Sequence, residues 1–302
     1  MRAVDLFAGF GGFTLGATLA GVDVVWAANH WPLAVEVHAA NHPGTQHACQ
    51  DLRQANWSSL PAYDLLLAAP ACQGHSPASQ PGRRPYHNEL RATAWAVVDC
   101  ADATEPRALV VENVTRFRAW RLYPTWLDAL RKLGYHVTEH VVDAAEHGVP
   151  QRRRRLFVVG TRTGKRVELG RTLTRERPFA ECIDDMAAGW RLIRSASPGA
   201  RDRMREAQKR TGRRCLVQHT TGHRGVPLTE AIRTITTKDH WVLVDGDAYR
   251  WLTMRELARG MSFPESYRWP EGLARNIVAK GLGNAVCPLV GRDVVQAVKE
   301  AA

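Results

Sequence analysis

The stretch Val4-Asp5-Leu6-Phe7-Ala8-Gly9-Phe10-Gly11-Gly12 decides how the chain is read. It opens as a short apolar strand, breaks into a glycine-rich turn and runs on through Phe13-Thr14-Leu15 as a helical pattern. Glycines let backbone approach a ligand closely, and a helix N-terminus offers free N–H groups to an anion. The spacing matches neither a phosphate loop nor a clean dinucleotide fingerprint. Taken alone, the turn is equally compatible with a plain tight turn. As a site, the Asp5 carboxylate beside free N–H groups suits an amino-acid-like tail that carries both charges.

Outward from this turn, short apolar runs alternate with amphipathic stretches. Strands are predicted over 3–7, 22–28, 64–68, 108–111, 136–142 and 156–159. Helical patterns fall between them at about 13–20, 32–41, 89–103 and 123–133. That order predicts an α/β fold with a doubly wound, largely parallel sheet. After Gly160 the texture changes. Residues 171–214 are dense in arginine, with a break at Pro198-Gly199, and 201–214 read as a short basic helix, or as no more than a solvated helix face. Residues 215–251 are β-prone and turn-rich, and helices are predicted at 253–261 and 288–301.

With 302 residues the chain can bury a core without disulfides or metals, as one large or two smaller domains. Hydrophobic residues are 45% and charged residues 24%, which excludes general disorder. No run of about 18 apolar residues is present, so no membrane span is predicted. An acid at Asp5, where a signal peptide would begin its apolar core, argues against a secretion signal. The 41 Lys+Arg exceed the 30 Asp+Glu, for a net charge of +11. Such an excess often meets a polyanion, although it can be merely compositional. The six cysteines, Cys49, Cys72, Cys100, Cys182, Cys215 and Cys287, form no C-x-x-C pair, and no metal site is expected. They are expected to be reduced thiols in cytoplasm, five of them small buried residues. Cys72 differs, because it follows the apolar run Leu65-Leu66-Leu67 in a turn-rich segment, where open α/β sheets place chemistry.

These pieces together resemble the DNA (cytosine-5)-methyltransferase family, of bacterial or phage type. Asp5 through Gly12 and the Cys72 loop are similar to its first motifs. Glu112-Asn113-Val114 is similar to its E-N-V. Gln151-Arg152-Arg153-Arg154-Arg155 is similar to its Q-x-R-x-R, and Arg233-Thr234-Ile235-Thr236-Thr237 to the segment after its variable region. Gly283-Asn284-Ala285-Val286 resembles its G-N-[AS]-V. The motifs stand in the family's order along essentially the whole chain.

The resemblance implies a Rossmann-like class I methyltransferase domain at 1–165 with 270–302, and a smaller, mainly β target-recognition domain at 166–269. It implies Cys72 as the nucleophile that adds to cytosine carbon 6 and makes carbon 5 reactive. Glu112 would share a proton with ring nitrogen 3, Arg155 would hold the ring carbonyl, Arg153 would orient the Cys72 loop, and Asn113 would hold that loop through backbone hydrogen bonds. The methyl donor would be S-adenosylmethionine, released as S-adenosylhomocysteine, with no metal. Its site would comprise Asp5, Phe7, Gly9, Gly11, Gly12, His30, Trp31, Asp51, Leu52, Pro70, Thr93, Asn284 and Val286. Trp31 would stack on the adenine, and Asp51 would accept from its amino group.

The target base lies in a duplex and must swing out to reach such a pocket. The loop 73–88 is expected to be mobile and to close over DNA through Gln73, Ser76, Arg83 and Arg84. Target readout is expected within 161–229, with Gln218, His219, Thr220, Thr221, His223 and Arg224 as candidate base or groove contacts, and 171–214 on the phosphates. A polar β-turn would look the same. Double-stranded DNA is the expected partner, with a cognate restriction endonuclease a candidate second one, and a cytoplasmic monomer the expected form.

Three positions depart from the family's pattern. Ala71, not proline, precedes Cys72, and His75 stands where an aromatic residue is common. The acid expected at the end of the second strand, which would grip the ribose, is replaced by His30, with Glu36 nearby as a substitute. An RNA cytosine-5 methyltransferase is the alternative enzyme, but its Cys-Phe-Thr tripeptide is absent. A non-catalytic DNA-binding regulator is disfavoured because Cys72, Glu112 and Arg155 occur together.

Overall fold

A computed structural model of the chain describes residues 1–70, 93–170, 175–219, 224–238 and 240–302. Its main sheet has seven strands in the order β3-β2-β1-β4-β5-β8-β6. Strands β1 (Arg2–Leu6), β2 (Asp23–Asn29), β3 (Gln46–Cys49), β4 (Leu65–Ala68) and β5 (Ala108–Asn113) run parallel. Strand β8 (Arg154–Thr161) lies antiparallel between β5 and β6 (His136–Asp143). Every residue of β4 and β5 is buried. That explains their continuous apolar runs, because a parallel strand is covered on both faces.

Apolar side chains form a cluster on each face of this sheet. One holds Phe10, Phe13 and Phe157 with the helices α1 (Gly12–Leu19) and α8 (Pro288–Ala301). The other holds Phe117, Trp126 and Leu130 with α3 (Trp95–Thr104) and α4 (Tyr123–Lys132). The doubly wound expectation is therefore met. The chain leaves β1 toward β2 and β3, then returns to β4 on the other side of β1. This reversal opens a crevice at the carboxyl ends of β1 and β4, where such sheets bind ligands.

A second, five-stranded antiparallel sheet has the order β11-β10-β13-β14-β9. It comprises β9 (Arg191–Leu192), β10 (Arg214–Gln218), β11 (Val226–Pro227), β13 (Trp241–Asp245) and β14 (Ala248–Trp251). Helix α5 (Pro198–Thr211) packs Ala200, Met204 and Ala207 onto it. The basic helix read from the sequence is thus real, but its charges are partly spent. Arg205 pairs with Asp247, Arg210 with Glu206, Arg213 with Asp245 and Arg214 with Asp185. A short parallel pair, β7 (Gln151–Arg152) with β12 (Ile232–Arg233), stitches the two parts together.

Several elements were not predicted, the short strands β7 and β9 among them. Strand β3 is a polar, partly exposed edge strand with no hydrophobic signature. Helix α7 (Arg275–Asn284) carries Gly281 and Gly283, which weaken helix propensity. Glycine is required there: a Cβ on Gly281 would lie 1.9 Å from the Phe10 ring, and one on Gly283 2.3 Å from the Thr236 backbone. One cysteine expectation fails. Cys49, at the end of β3, is exposed, while Cys100, Cys182, Cys215 and Cys287 are buried. Among the described residues, no helix is long and apolar enough to cross a membrane.

Candidate functional site

The turn after β1 is held by three residues with positive φ: Phe7 (60°), Gly9 (55°) and Gly11 (82°). A bulky residue in that region is strained, and such strain gathers at ligand sites. The turn forms one wall of a cavity of about 390 Å³, large enough for a nucleoside-sized ligand. Of the residues expected to bind a cofactor, Asp5, Phe7, Gly9, His30, Trp31, Asp51, Leu52, Pro70, Thr93, Asn284 and Val286 line it.

Gly11 and Gly12 do not line the cavity; their role is packing. A Cβ on Gly11 would meet Tyr267 and His42, and one on Gly12 would lie 2.1 Å from the Val286 carbonyl oxygen. Gly12→Ala is therefore expected to cost about 1–3 kcal/mol, because the clash is with backbone that cannot rotate away. Thermal unfolding measures this, and an unchanged melting temperature would refute it.

One side of the cavity is walled by the segments that follow β2 and β3. Strand β2 ends at Asn29, whose side-chain oxygen accepts the Trp31 amide at 2.9 Å. The strand-end position is thus an amide, and His30 is the exposed residue that follows. Glu36 is exposed on α2 (Pro32–Asn41) and is absent from the lining. Asp51 is engaged by the Arg53 guanidinium, at 2.6 Å from Nη2, which lowers its pKa. Trp31 stacks with Phe10 at 5.6 Å, and the Lys280 ammonium lies 4.7 Å from the Trp31 ring centroid. Asn29, Phe10, Arg53 and Lys280 were missed in the sequence, and no local pattern marks them.

At its other end the cavity reaches Glu112. A smaller adjoining cavity is walled by Glu112, Arg153, Arg155, Phe157 and Cys287. Antiparallel pairing of β5 and β8 sets Asn113 opposite Leu156, so Arg155 falls just past the end of β5. Its Nε lies 3.1 Å from Glu112 Oε1. Burial raises the Glu112 pKa, against the opposing pull of Arg155 and then Arg153. This is the behaviour of a carboxyl group that can carry a proton.

Asn113 donates to the carbonyl of Pro70 at 3.2 Å, the last described residue before the Cys72 loop. The guanidinium of Arg153 is buried beside the late motifs. It donates to the carbonyls of Ile235, Gly283 and Ala285, and so clamps the two late motifs to β8. Gln151 assists by accepting from the Ile235 amide and donating to the Gly260 carbonyl.

Ala71, Cys72, Gln73, Ser76, Arg83, Arg84, Thr220, Thr221 and His223 lie outside the described residues. Gln218 ends β10, opposite Trp241. His219 stands 5.1 Å from Trp251 with a buried, unpartnered Nε2, and Arg224 is exposed.

The cavity fits S-adenosylmethionine on one concrete point. Asp5 is fully buried, lines the cavity, and one of its oxygens, Oδ1, has no hydrogen-bond partner among the described residues. A buried orphan acceptor calls for a donor, and an ammonium group would supply one.

The sequence profile of the C-5 cytosine-specific DNA methylases matches residues 1–179 and 179–300. The Type II methyltransferase M.HgiDI of Herpetosiphon aurantiacus is 34% identical over 57% of this chain and 56% of its own. M.NlaX of Neisseria lactamica is 33% identical over 53% and 51%. The match therefore spans about half the length of these two relatives. M1.HphI of Haemophilus parahaemolyticus is 26% identical over 98% of this chain and 86% of its own. Among solved structures, a prophage-encoded E. coli protein described as a DNA modification methyltransferase aligns over 100% of this chain and 99% of its own, with a TM-score of 0.75 at 19% identity. The S. pombe Dnmt2 methyltransferase aligns over 99% and 98%, with a TM-score of 0.71 at 18% identity. At these identities the structures support the fold alone, whereas the profile match covers nearly every residue. The chain belongs to the C-5 cytosine-specific DNA methylase family.

Proposed function

We propose that the protein transfers a methyl group from S-adenosylmethionine to carbon 5 of a cytosine flipped out of duplex DNA. One observation carries this reading. The cavity that begins at the orphaned oxygen of Asp5 runs on to the paired Glu112 and Arg155, where a base would be held. S-adenosylmethionine supplies an electrophilic methyl group and leaves as the neutral thioether.

The chain's own residues prepare the base. The Cys72 thiolate forms a carbon–sulfur bond at carbon 6, and the electron pair displaced into the ring is met by a proton shared from Glu112 to nitrogen 3. Arg155 donates to the ring carbonyl and offsets developing charge. Carbon 5 is then nucleophilic and takes the methyl group. Loss of the carbon 5 proton and departure of the Cys72 sulfur restore the ring. Cys287 walls the same region, but burial pushes its thiol up to about 11, so it is a poor competitor for the nucleophile's role.

Residues 1–165 with 270–302 form the catalytic part in this reading, and 166–269 read the target. Gln218, His219 and Arg224, with Thr220, Thr221 and His223, contact the DNA, alongside Gln73, Ser76, Arg83 and Arg84 of the Cys72 loop. The protein acts as a cytoplasmic monomer, with a restriction endonuclease as the partner to look for. The test uses duplex DNA containing 5-fluorocytosine and labelled S-adenosylmethionine. A denaturant-resistant adduct is expected with the wild type and with Cys287→Ser, and none with Cys72→Ser. An adduct with RNA but with no DNA would replace the DNA substrate by RNA.

A further inference from the structure

Behind Asp5 a row of hydrogen-bonded side chains leads away from the cavity toward the sheet edge. Thr14 Oγ donates to Asp5 Oδ2 at 2.7 Å. His38 Nε2 lies 3.0 Å from the same Thr14 oxygen, and His38 Nδ1 lies 2.8 Å from His47 Nε2. Asp5, Thr14 and His38 are buried, while His47, on edge strand β3, is half-buried. A row of three contacts from a cavity-lining carboxylate to the protein's edge exceeds what packing requires, because apolar side chains fill interior space at lower desolvation cost.

The row can be completed in two polarities. With Asp5 ionised, Thr14 donates to Asp5, His38 Nε2–H donates to Thr14, and His47 Nε2–H donates to His38 Nδ1. With Asp5 protonated, every bond reverses: Asp5 donates to Thr14, Thr14 to His38 Nε2, and His38 Nδ1–H to His47 Nε2. His47 then carries its own hydrogen on Nδ1. The second arrangement holds one more proton, taken up at His47 and resident on Asp5, and no heavy atom has to move.

We propose that Thr14, His38 and His47 are a proton relay that charges and discharges Asp5, so that a cationic ligand group entering beside Asp5 expels a proton through His47. This rests on the reading of the cavity as an S-adenosylmethionine site whose tail ammonium meets the free Asp5 oxygen.

The surroundings support it. Burial pushes Asp5 up to about 7, against the bonds from Thr14. Burial lowers His38 far below the ordinary histidine range, and His47 below it, so both imidazoles are neutral near pH 7. From α2, His42 also faces the row, and burial takes it down to about 4. Tyr267 donates to the Phe10 carbonyl and lies 3.3 Å from His42. The neighbouring strands meet Asp5 with Ala27 and Leu67, which carry no charge. Across the cavity stand Lys280 and Glu112.

The sign follows from linkage. Below about pH 7 the free protein holds the Asp5 proton, and a bound ammonium selects the ionised form. Affinity should therefore fall as pH falls through about 7, approaching about tenfold per pH unit. Above that it should be flat until the ligand's own α-amino group deprotonates.

The experiment is titration calorimetry of S-adenosylhomocysteine against pH, in buffers of different ionisation enthalpy. The wild type is expected to release close to one proton at about pH 6. Methylthioadenosine, which lacks the amino-acid tail, should release none. Asp5→Asn should give an affinity that is flat below neutral pH. His47→Ala should move the midpoint, because it removes the bond that His47 makes to His38 in either polarity, and His47→Gln, which can donate or accept there, should restore it. His47 does not line the cavity, so a structural role alone would leave the midpoint unmoved. Binding without proton release, or an unmoved midpoint in His47→Ala, overturns the relay while leaving the cavity's assignment intact. Failure of S-adenosylhomocysteine to bind at all overturns both.

Discussion

Glu112→Gln is expected to lower the rate of methyl transfer by about 10²–10⁴-fold, the usual worth of a positioned proton donor. The amide keeps the shape and can still meet the Arg155 guanidinium, now 3.1 Å from Glu112 Oε1. It cannot release a proton to the ring. Binding of S-adenosylhomocysteine should survive, because Glu112 sits on β5, two strands away from Asp5 on β1. The pH profile separates a proton donor from a structural acid. Burial raises the Glu112 pKa. A group that must be protonated loses its effect as pH rises through that value, so the wild type should show an alkaline limb in single-turnover rate that the Gln variant lacks. Arg155→Ala should also slow turnover, and the double variant should cost less than the product of the two, since the groups act as a pair. A Glu112→Gln enzyme within a few-fold of wild type would remove this residue from the chemistry.

Glu256→Ala is expected to be the most damaging change to stability. Arg250 donates to both Glu256 oxygens, at 2.8 and 2.6 Å, and the two side chains are 1% and 0% exposed. The same carboxylate accepts the amides of Asp184 and Thr253. It thereby closes the capping box of helix α6 (Met254–Gly260) and ties it to the loop before β9. Removing it strands a buried guanidinium and two amides, at a cost of about 3–5 kcal/mol. That is a large part of the 5–15 kcal/mol typical of a folded domain, and a fall in melting temperature of roughly 10 °C should follow. Replacing both members, as Arg250→Met with Glu256→Leu, should lose far less, because no charge is left unpaired. Denaturant titration of the three variants decides it. A single variant as stable as wild type would mean that the pair contributes little.

Much of the fold and site could be read from the residues in order. The run Leu65-Leu66-Leu67-Ala68 had to be a strand covered on both faces, and β4 is buried throughout. The Gly9 and Gly11 turn had to follow a strand and open a helix, and Glu112-Asn113 had to end one, because backbone preferences and hydrophobic period act over a few neighbours. Asp5, Phe7, Gly9, Pro70 and Glu112, at or next to these places, line one cavity. The sequence was weaker where local signals conflict with tertiary need. Helix α7 was hidden by Gly281 and Gly283, which exist to admit Phe10 and Thr236.

Charge was the least legible quantity. The net +11 pointed to a polyanion, yet Arg205, Arg210, Arg213 and Arg214 are held by carboxylates of the same chain. Arg153 is held by three backbone carbonyls of the late motifs. Residue types and their order, then, determined the family's chemistry and the doubly wound plan, since motifs and periodicity are local properties of the chain. Only the tertiary structure decided which ionisable groups are partnered, which are buried, and that Asp5 lines the cavity while Thr14, His38 and His47 stand in a row behind it. Hydrogen bonding and desolvation depend on distances of a few ångströms between residues far apart in sequence, and folding alone sets those distances.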